Sequence, residues 1–264
     1  MQFAVDAREK RSRGVAIGQV RTSLMPEIVH WKLVPPEANA AGNFVGGLRQ
    51  GAIRRAIIES RGYPGDRLEY LIKQYPLETG ALEIQYIEEY FGEFPRKKTA
   101  QEINTRLHDR EFLILMAEAP LPHDPGLVVP VSYKIVHELR EREADHKLAD
   151  LVTRLKNAVR FDGRKVLYSW IGGTRRDWRG QGHFRALTEE SEAWAHATGY
   201  HEVVVKTKNR FYDMRGTLDQ LEFNVIKYEV NPIDNRESKV YLSKQLTSDV
   251  VRAHTSSRTV VYAD

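Results

Sequence analysis

Between Trp170 and Leu187 the chain reads WIGGTRRDWRGQGHFRAL. An apolar strand, Lys165–Ile171, runs into Gly172 and Gly173. A polar turn, Arg179-Gly180-Gln181-Gly182-His183, then leads into an amphipathic helix expected over Phe184–Thr198. Glycines let such a turn take backbone angles closed to other residues and let a ligand approach closely. The turn sits on a helix N-terminus, where unpaired N–H groups and the dipole favour an anion. Strand, glycine turn and helix start therefore form a phosphate-binding device, and Arg175, Arg176 and Arg179 add positive charge beside it. No Gly-Lys-Ser/Thr follows, which excludes the P-loop, and no third glycine completes a dinucleotide fingerprint. Such a turn also occurs as a plain connector between strand and helix, so the residues alone leave both readings open.

Working outward, residues 67–246 alternate regularly. Strands are expected at Leu68–Tyr75, Phe112–Ala117, Leu127–Val136, His201–Thr207, Phe223–Val230 and Lys239–Leu246. Helices are expected at Ala81–Phe91, at Thr99–Leu107, where Thr99 and Glu102 spell a capping box, and at Met214–Leu221. Leu148, Leu151, Val152, Leu155 and Val159 put one apolar stripe on a charged helix between Arg140 and Val159. With Lys165–Ile171 and Phe184–Thr198 the order is β-α-α-β-β-α-β-α-β-α-β-β, an α/β pattern with a partly parallel sheet and helices on both faces. Residues 1–65 read as an N-terminal extension with a helix over Leu48–Ser60, residues 66–247 as the main domain and residues 248–264 as a C-terminal tail.

The segment Arg-Gly-Gln-Gly-His-Phe-Arg-Ala-Leu, starting at Arg179, resembles the acyl-CoA pyrophosphate loop of the GNAT superfamily of N-acyltransferases, whose pattern is R/Q-x-x-G-x-G/A. Arg179 and Gly182 match; Phe184 stands where glycine or alanine is usual. The resemblance implies that the backbone of Gly180, Gln181, Gly182 and His183 holds the pyrophosphate, with Arg179 and Phe184 flanking it. It also implies that Ile171, Gly172, Gly173 and Thr174 lie along the pantetheine arm and that Asn209 bonds to that arm or caps the next turn. Acetyl-CoA or another acyl-CoA is then the co-substrate, and no metal is needed. Many relatives carry a general-acid tyrosine at the position of Leu218; here the nearest phenol is Tyr212.

Acyl transfer to an amine requires a deprotonated nucleophile held near the thioester and donors for the developing oxyanion. Candidates for a base are Glu118, His137 and Glu138, at the ends of strands neighbouring Lys165–Ile171, with Glu118 the first choice; Tyr212 is the candidate acid. Tyr168 and Trp170 share one strand face and line an acceptor channel or fill the core.

The composition excludes other classes. There is no cysteine, hence no disulfide, thiolate metal site or cysteine nucleophile. A net charge of +4 is too small to imply nucleic-acid binding, and the cluster Arg8, Lys10, Arg11 and Arg13 reads as a solvated N-terminal arm. No apolar run reaches membrane-spanning length and no signal peptide is visible, so a cytoplasmic protein is expected. The expected function is N-acyl transfer to a primary amine of a small molecule or peptide. The alternative is a non-catalytic acyl-CoA-binding module, and neither the acceptor nor the oligomeric state follows from the sequence.

Overall fold

The computed structural model describes residues 54–59, 67–89, 97–121, 124–255 and 260–262. Strands β1 (Arg54–Glu59), β2 (Arg67–Tyr75), β3 (Phe112–Leu121), β4 (Asp124–Leu139), β5 (Lys165–Thr174), β6 (Tyr200–Lys208), β7 (Asn224–Glu229), β8 (Lys239–Gln245) and β9 (Val260–Tyr262) form one sheet. Its order is β7-β8-β6-β5-β4-β3-β2-β1-β9. Every neighbouring pair is antiparallel except β5 and β6, which run parallel. The helix between them, α4 (His183–Ala197), is the crossover such a pair requires.

From β2 onward the element order matches the sequence pattern. Helices α1 (Leu77–Glu89), α2 (Ala100–Leu107) and α3 (His146–Leu155) share one face of the sheet. Helices α4, α5 (Tyr212–Gln220) and α6 (Ser248–Thr255) pack on the other. The α2 capping box forms as expected: Glu102 N–H donates to Thr99 Oγ1, and Thr99 N–H donates to the Glu102 carboxylate, each at 3.1 Å. Helix α3 is shorter than its charged surroundings suggested. Asp145 caps it, accepting from Lys147 N and Leu148 N. The preceding residues are pinned by Arg110, which holds the Glu143 carboxylate through both terminal nitrogens at 2.8 and 2.7 Å. Its buried Leu148, Leu151, Val152 and Leu155 contribute on the order of 1.5–3 kcal/mol each of gross burial energy.

Two segments differ from expectation. The described part of the helix expected over Leu48–Ser60 is strand β1, paired antiparallel with β2. The run Arg54–Glu59 contains adjacent β-branched Ile57 and Ile58, which suit a pleated strand, and so short an apolar run fits either period. Beyond 247, the stretch expected as a tail supplies α6 and β9, the latter pairing with β1.

Candidate functional site

The parallel pair β5–β6 is zipped only over its first half. Pairing runs from Lys165↔Tyr200 to Ser169↔Val205 and stops. Beyond that point β5 stays with β4 as far as Thr174, and β6 stays with β8 as far as Lys208. The separation begins at a bulge. Ser169 opposes Val136 and Ile171 opposes Ile135, so Trp170 is the extra residue, and such an insertion bends its strand. Backbone groups of β5 that point toward β6 past Ser169 therefore have no strand partner. The far end of β5 is fixed: Ser132 Oγ donates to Gly173 O at 2.9 Å and Arg179 Nε donates to Thr174 O at 3.2 Å.

The chain then makes a single 3-10 turn, Arg176–Trp178, anchored by Arg175 N–H donating to Val131 O at 2.8 Å. Gly180 has φ +78° and Gly182 has φ +79°, a region that costs any residue with a Cβ about 1–2 kcal/mol. Gly182 is the N-cap of α4 and offers no side-chain cap, so the first N–H groups of the helix point outward without an intrahelical partner. A Cβ built on Gly180 would meet nothing within 4 Å: the turn faces open space. An uncapped helix start, two left-handed glycines, the half-exposed Arg175 and the exposed Arg176 and Arg179 together favour an anion and form a candidate cradle.

Phe184 is accommodated by Gly172. A Cβ on Gly172 would lie 3.5 Å from Phe184 Cε2 and 3.1 Å from Tyr133 O, so the bare strand makes room for the ring. Lys134, only 2% exposed, sets its ammonium 4.7 Å from the Phe184 ring centroid. Burial lowers its pKa to about 8, partly offset by Glu192. The His183 ring is buried, edge-on to Tyr70 at 4.4 Å and stacked on Trp178 at 6.0 Å. Neither ring nitrogen has a hydrogen-bond partner, and burial pushes the pKa down to about 4, so the ring is neutral at pH 7. The ring anchors the helix start, and the backbone N–H of His183 is the group available to the cradle.

The acid–base candidates are scattered. Glu118 lies on β3, two strands from β5, opposite Pro130 and therefore level with the end of β5 rather than its bulge. It is buried and accepts a hydrogen bond from Tyr75 Oη; burial raises its pKa, and Lys73 opposes the rise. The structure does not bring it to the opening. Glu138 pairs with Arg140 at 2.8 Å near the start of β5. His137 is adjacent to the opening: its ring lies 5.4 Å from Tyr168 and 5.6 Å from Trp170. Its Nδ1–H donates to Glu138 O at 2.6 Å, which leaves Nε2 a buried acceptor without a hydrogen-bond partner. Burial holds its pKa near 3. Tyr212 opens α5 just past the wall strand β6 and is 60% exposed. Leu218 is fully buried core. Asn209 is committed to the neighbouring loop, donating to Asn235 O at 3.2 Å and accepting from Arg215.

By sequence the chain matches no family model and no curated protein. By structure it is similar to Arabidopsis thaliana NAA60, solved in complex with acetyl-CoA. The match has a TM-score of 0.51 at 10% identity, over 67% of this chain and 98% of that one. The fold is that of the GNAT acetyltransferases. Two further structures are similar at lower scores. A Desulfovibrio desulfuricans protein described as an acetyltransferase of the GNAT family gives TM-score 0.49 at 13% identity, over 67% of this chain and 99% of that one. The Escherichia coli ribosomal-protein-S18-alanine N-acetyltransferase gives 0.47 at 14%, over 67% and 94%.

Within this GNAT fold, sequence reasoning missed Lys134, the Gly172–Phe184 fit and the bulge at Trp170. The lysine sits among apolar neighbours on β4 with no spacing to distinguish it from a surface charge. The bulge has no residue signature beyond Gly172-Gly173 just after it. Among the described residues no helix is long and apolar enough to cross a membrane.

Proposed function

We propose that this chain transfers an acetyl or related acyl group from acyl-CoA to a primary amine. The carrying observation is the junction of two features. A bulged strand parts from its parallel neighbour at Trp170, and the same strand ends in an uncapped, glycine-turned helix N-terminus at Gly182. The residues present fit acyl-CoA, because Gly180 faces open space and both glycines hold angles that keep side chains out of the cradle. In this reading the N–H groups of Gly180, Gln181, Gly182 and His183 hold the pyrophosphate, with Arg179 supplying charge. Ile171, Gly172, Gly173 and Thr174 offer the unpaired strand edge to the amide-bearing arm, and the N–H groups past the bulge donate to the carbonyl oxygen as it gains charge.

Bound acyl-CoA supplies a thioester whose acyl carbon bonds the amine nitrogen as its carbon–sulfur bond breaks, the amine proton ending on the CoA thiol. What the chain contributes is placement and a hydrogen-bonding edge. With Glu118 away from the opening, water is the relay for the amine proton, and Tyr212 is the first phenol after the wall strand to serve the thiolate. A non-catalytic acyl-CoA-binding module is the second reading, favoured by the buried Leu218 and by the separation of Glu118 and Tyr212. The test is thiol release from acetyl-CoA in the presence of a broad amine panel. Amine-dependent release supports transfer; CoA binding without release for any amine supports the module; neither binding nor release removes both.

A further inference from the structure

Trp170, the bulged residue at the opening, also lines a cleft of about 350 Å³ on the face carrying α1, α2 and α3, a size suited to a small ligand. Its walls are α2 with its flanks and the N-terminus of α3, and they carry four cations and three acids. The acids are spent on the protein itself. Glu102 closes the α2 capping box and accepts from Lys98 Nζ at 3.5 Å. Asp145 caps α3 through Oδ1, at 2.8 and 3.0 Å, and accepts from Arg106 through Oδ2 at 3.2 Å. Asp109 accepts from Arg140 at 3.4 Å.

The donors are not spent to the same degree. Arg110 is taken up by Glu143. The exposed Lys147 ammonium has no ion pair among the described residues. Among the described residues the Lys98 ammonium makes one ion pair, at 3.5 Å to Glu102, and stands 5.9 Å from the Trp170 ring. Arg106 lies 4.9 Å over that ring with one nitrogen on Asp145. The cleft thus offers surplus donors over an aromatic wall, with its acceptors already satisfied.

Resting on the transfer reading above, we infer that this cleft selects as acceptor a small primary amine that also carries an anionic group, its nitrogen at Trp170 and its anion on Lys98 and Lys147. The chemistry is consistent on both ends. A carboxylate or phosphate takes the unspent ammonium donors. Cationic surroundings also disfavour the ammonium form of the amine and so favour the neutral nucleophile. Amines bearing additional positive charge are repelled from the same cleft.

The experiment uses the full chain. Acetylation is compared for α- and ω-amino acids of two to six carbons against their own carboxamides, and for 2-aminoethyl phosphate against ethanolamine. In parallel, calorimetry measures binding of the N-acetylated products to the CoA-saturated protein, for wild type and for a Lys98→Ala, Lys147→Ala double variant. Both lysines have solvent-accessible side chains, so the variant is expected to fold. The expected result is an acid preferred over its amide, with KM and product Kd rising about tenfold in the variant. The carboxylate and phosphate arms identify which anion fits. Amides used as well as acids, or an unchanged preference in the variant, overturns the inference. Acid binding that weakens in the variant while no amine is acetylated sustains the cleft and removes the transfer reading. No binding of either product removes the cleft.

Discussion

Changing Gly182 to valine tests the cradle where its geometry is most demanding. The residue is the N-cap of α4 with φ +79°, so any side chain with a Cβ pays about 1–2 kcal/mol there, a β-branched one toward the upper end. For a chain of this size each kcal/mol shifts Tm by about 2–4 °C, giving an expected fall of about 2–8 °C in a variant that remains folded. The effect on CoA is separate and larger in ratio. A misdirected N–H at the helix start forfeits a charge-assisted hydrogen bond worth about 1.5–3 kcal/mol, or roughly ten- to a hundredfold in Kd. Calorimetry with CoA reads this directly. Gly216→Ala in α5 is the control: an added Cβ there meets nothing within 4 Å, and alanine in a helix stabilises by up to about 1 kcal/mol. A folded Gly182→Val protein that binds CoA like wild type would refute the assignment of the cradle.

Three further outcomes are expected. His183 and His137 have folded pKa values pushed down to about 4 and about 3. The unfolded chain therefore binds protons that the folded chain refuses once pH falls below about 6.5, and stability drops on the order of 2 kcal/mol per histidine by pH 5. Tm at pH 7 and pH 5 checks this: His183→Phe should flatten the slope, and equal wild-type Tm at both values contradicts the buried neutral rings. Tyr212→Phe removes only a hydroxyl from an exposed ring; if Tyr212 is the acid, turnover falls by about 10²–10⁴ with CoA affinity intact, and unchanged turnover assigns the proton to solvent. A chain beginning at Arg49 keeps β1 and should bind CoA, whereas one beginning at Gly62 loses β1 and leaves the β2 and β9 edges unpaired. Aggregation of the second but not the first is the expected contrast, and loss of CoA binding in a soluble Arg49 chain would mean that earlier residues build the site.

The residues that made the fold legible are those whose periodicity is strong. Leu148, Leu151, Val152 and Leu155 marked α3, and Thr99 with Glu102 marked the start of α2, because an apolar stripe and a capping box are local signals. The glycine turn before α4 was visible for the same reason: two positive-φ positions demand glycine. What stayed hidden depends on contacts across the sheet. Arg54–Glu59 fits either period by its local pattern, and its pairing with β2 and β9 decides for the strand. Glu118 sits at a plausible strand end in sequence, but register places it two strands from β5 and beside Tyr75. Phe184 read as a departure from the loop pattern until Gly172, twelve residues earlier in the chain, proved to be the space it occupies.

The proposed transfer requires acyl-CoA in the gap between β5 and β6 with its pyrophosphate on the start of α4. A crystal structure of the full chain grown with CoA tests it most directly. The pyrophosphate is expected within hydrogen-bond distance of the N–H groups of Gly180 to His183, the pantetheine arm along Ile171–Thr174, and the sulfur near Trp170. Density for CoA elsewhere on the protein, with the β5–β6 gap empty, would contradict it.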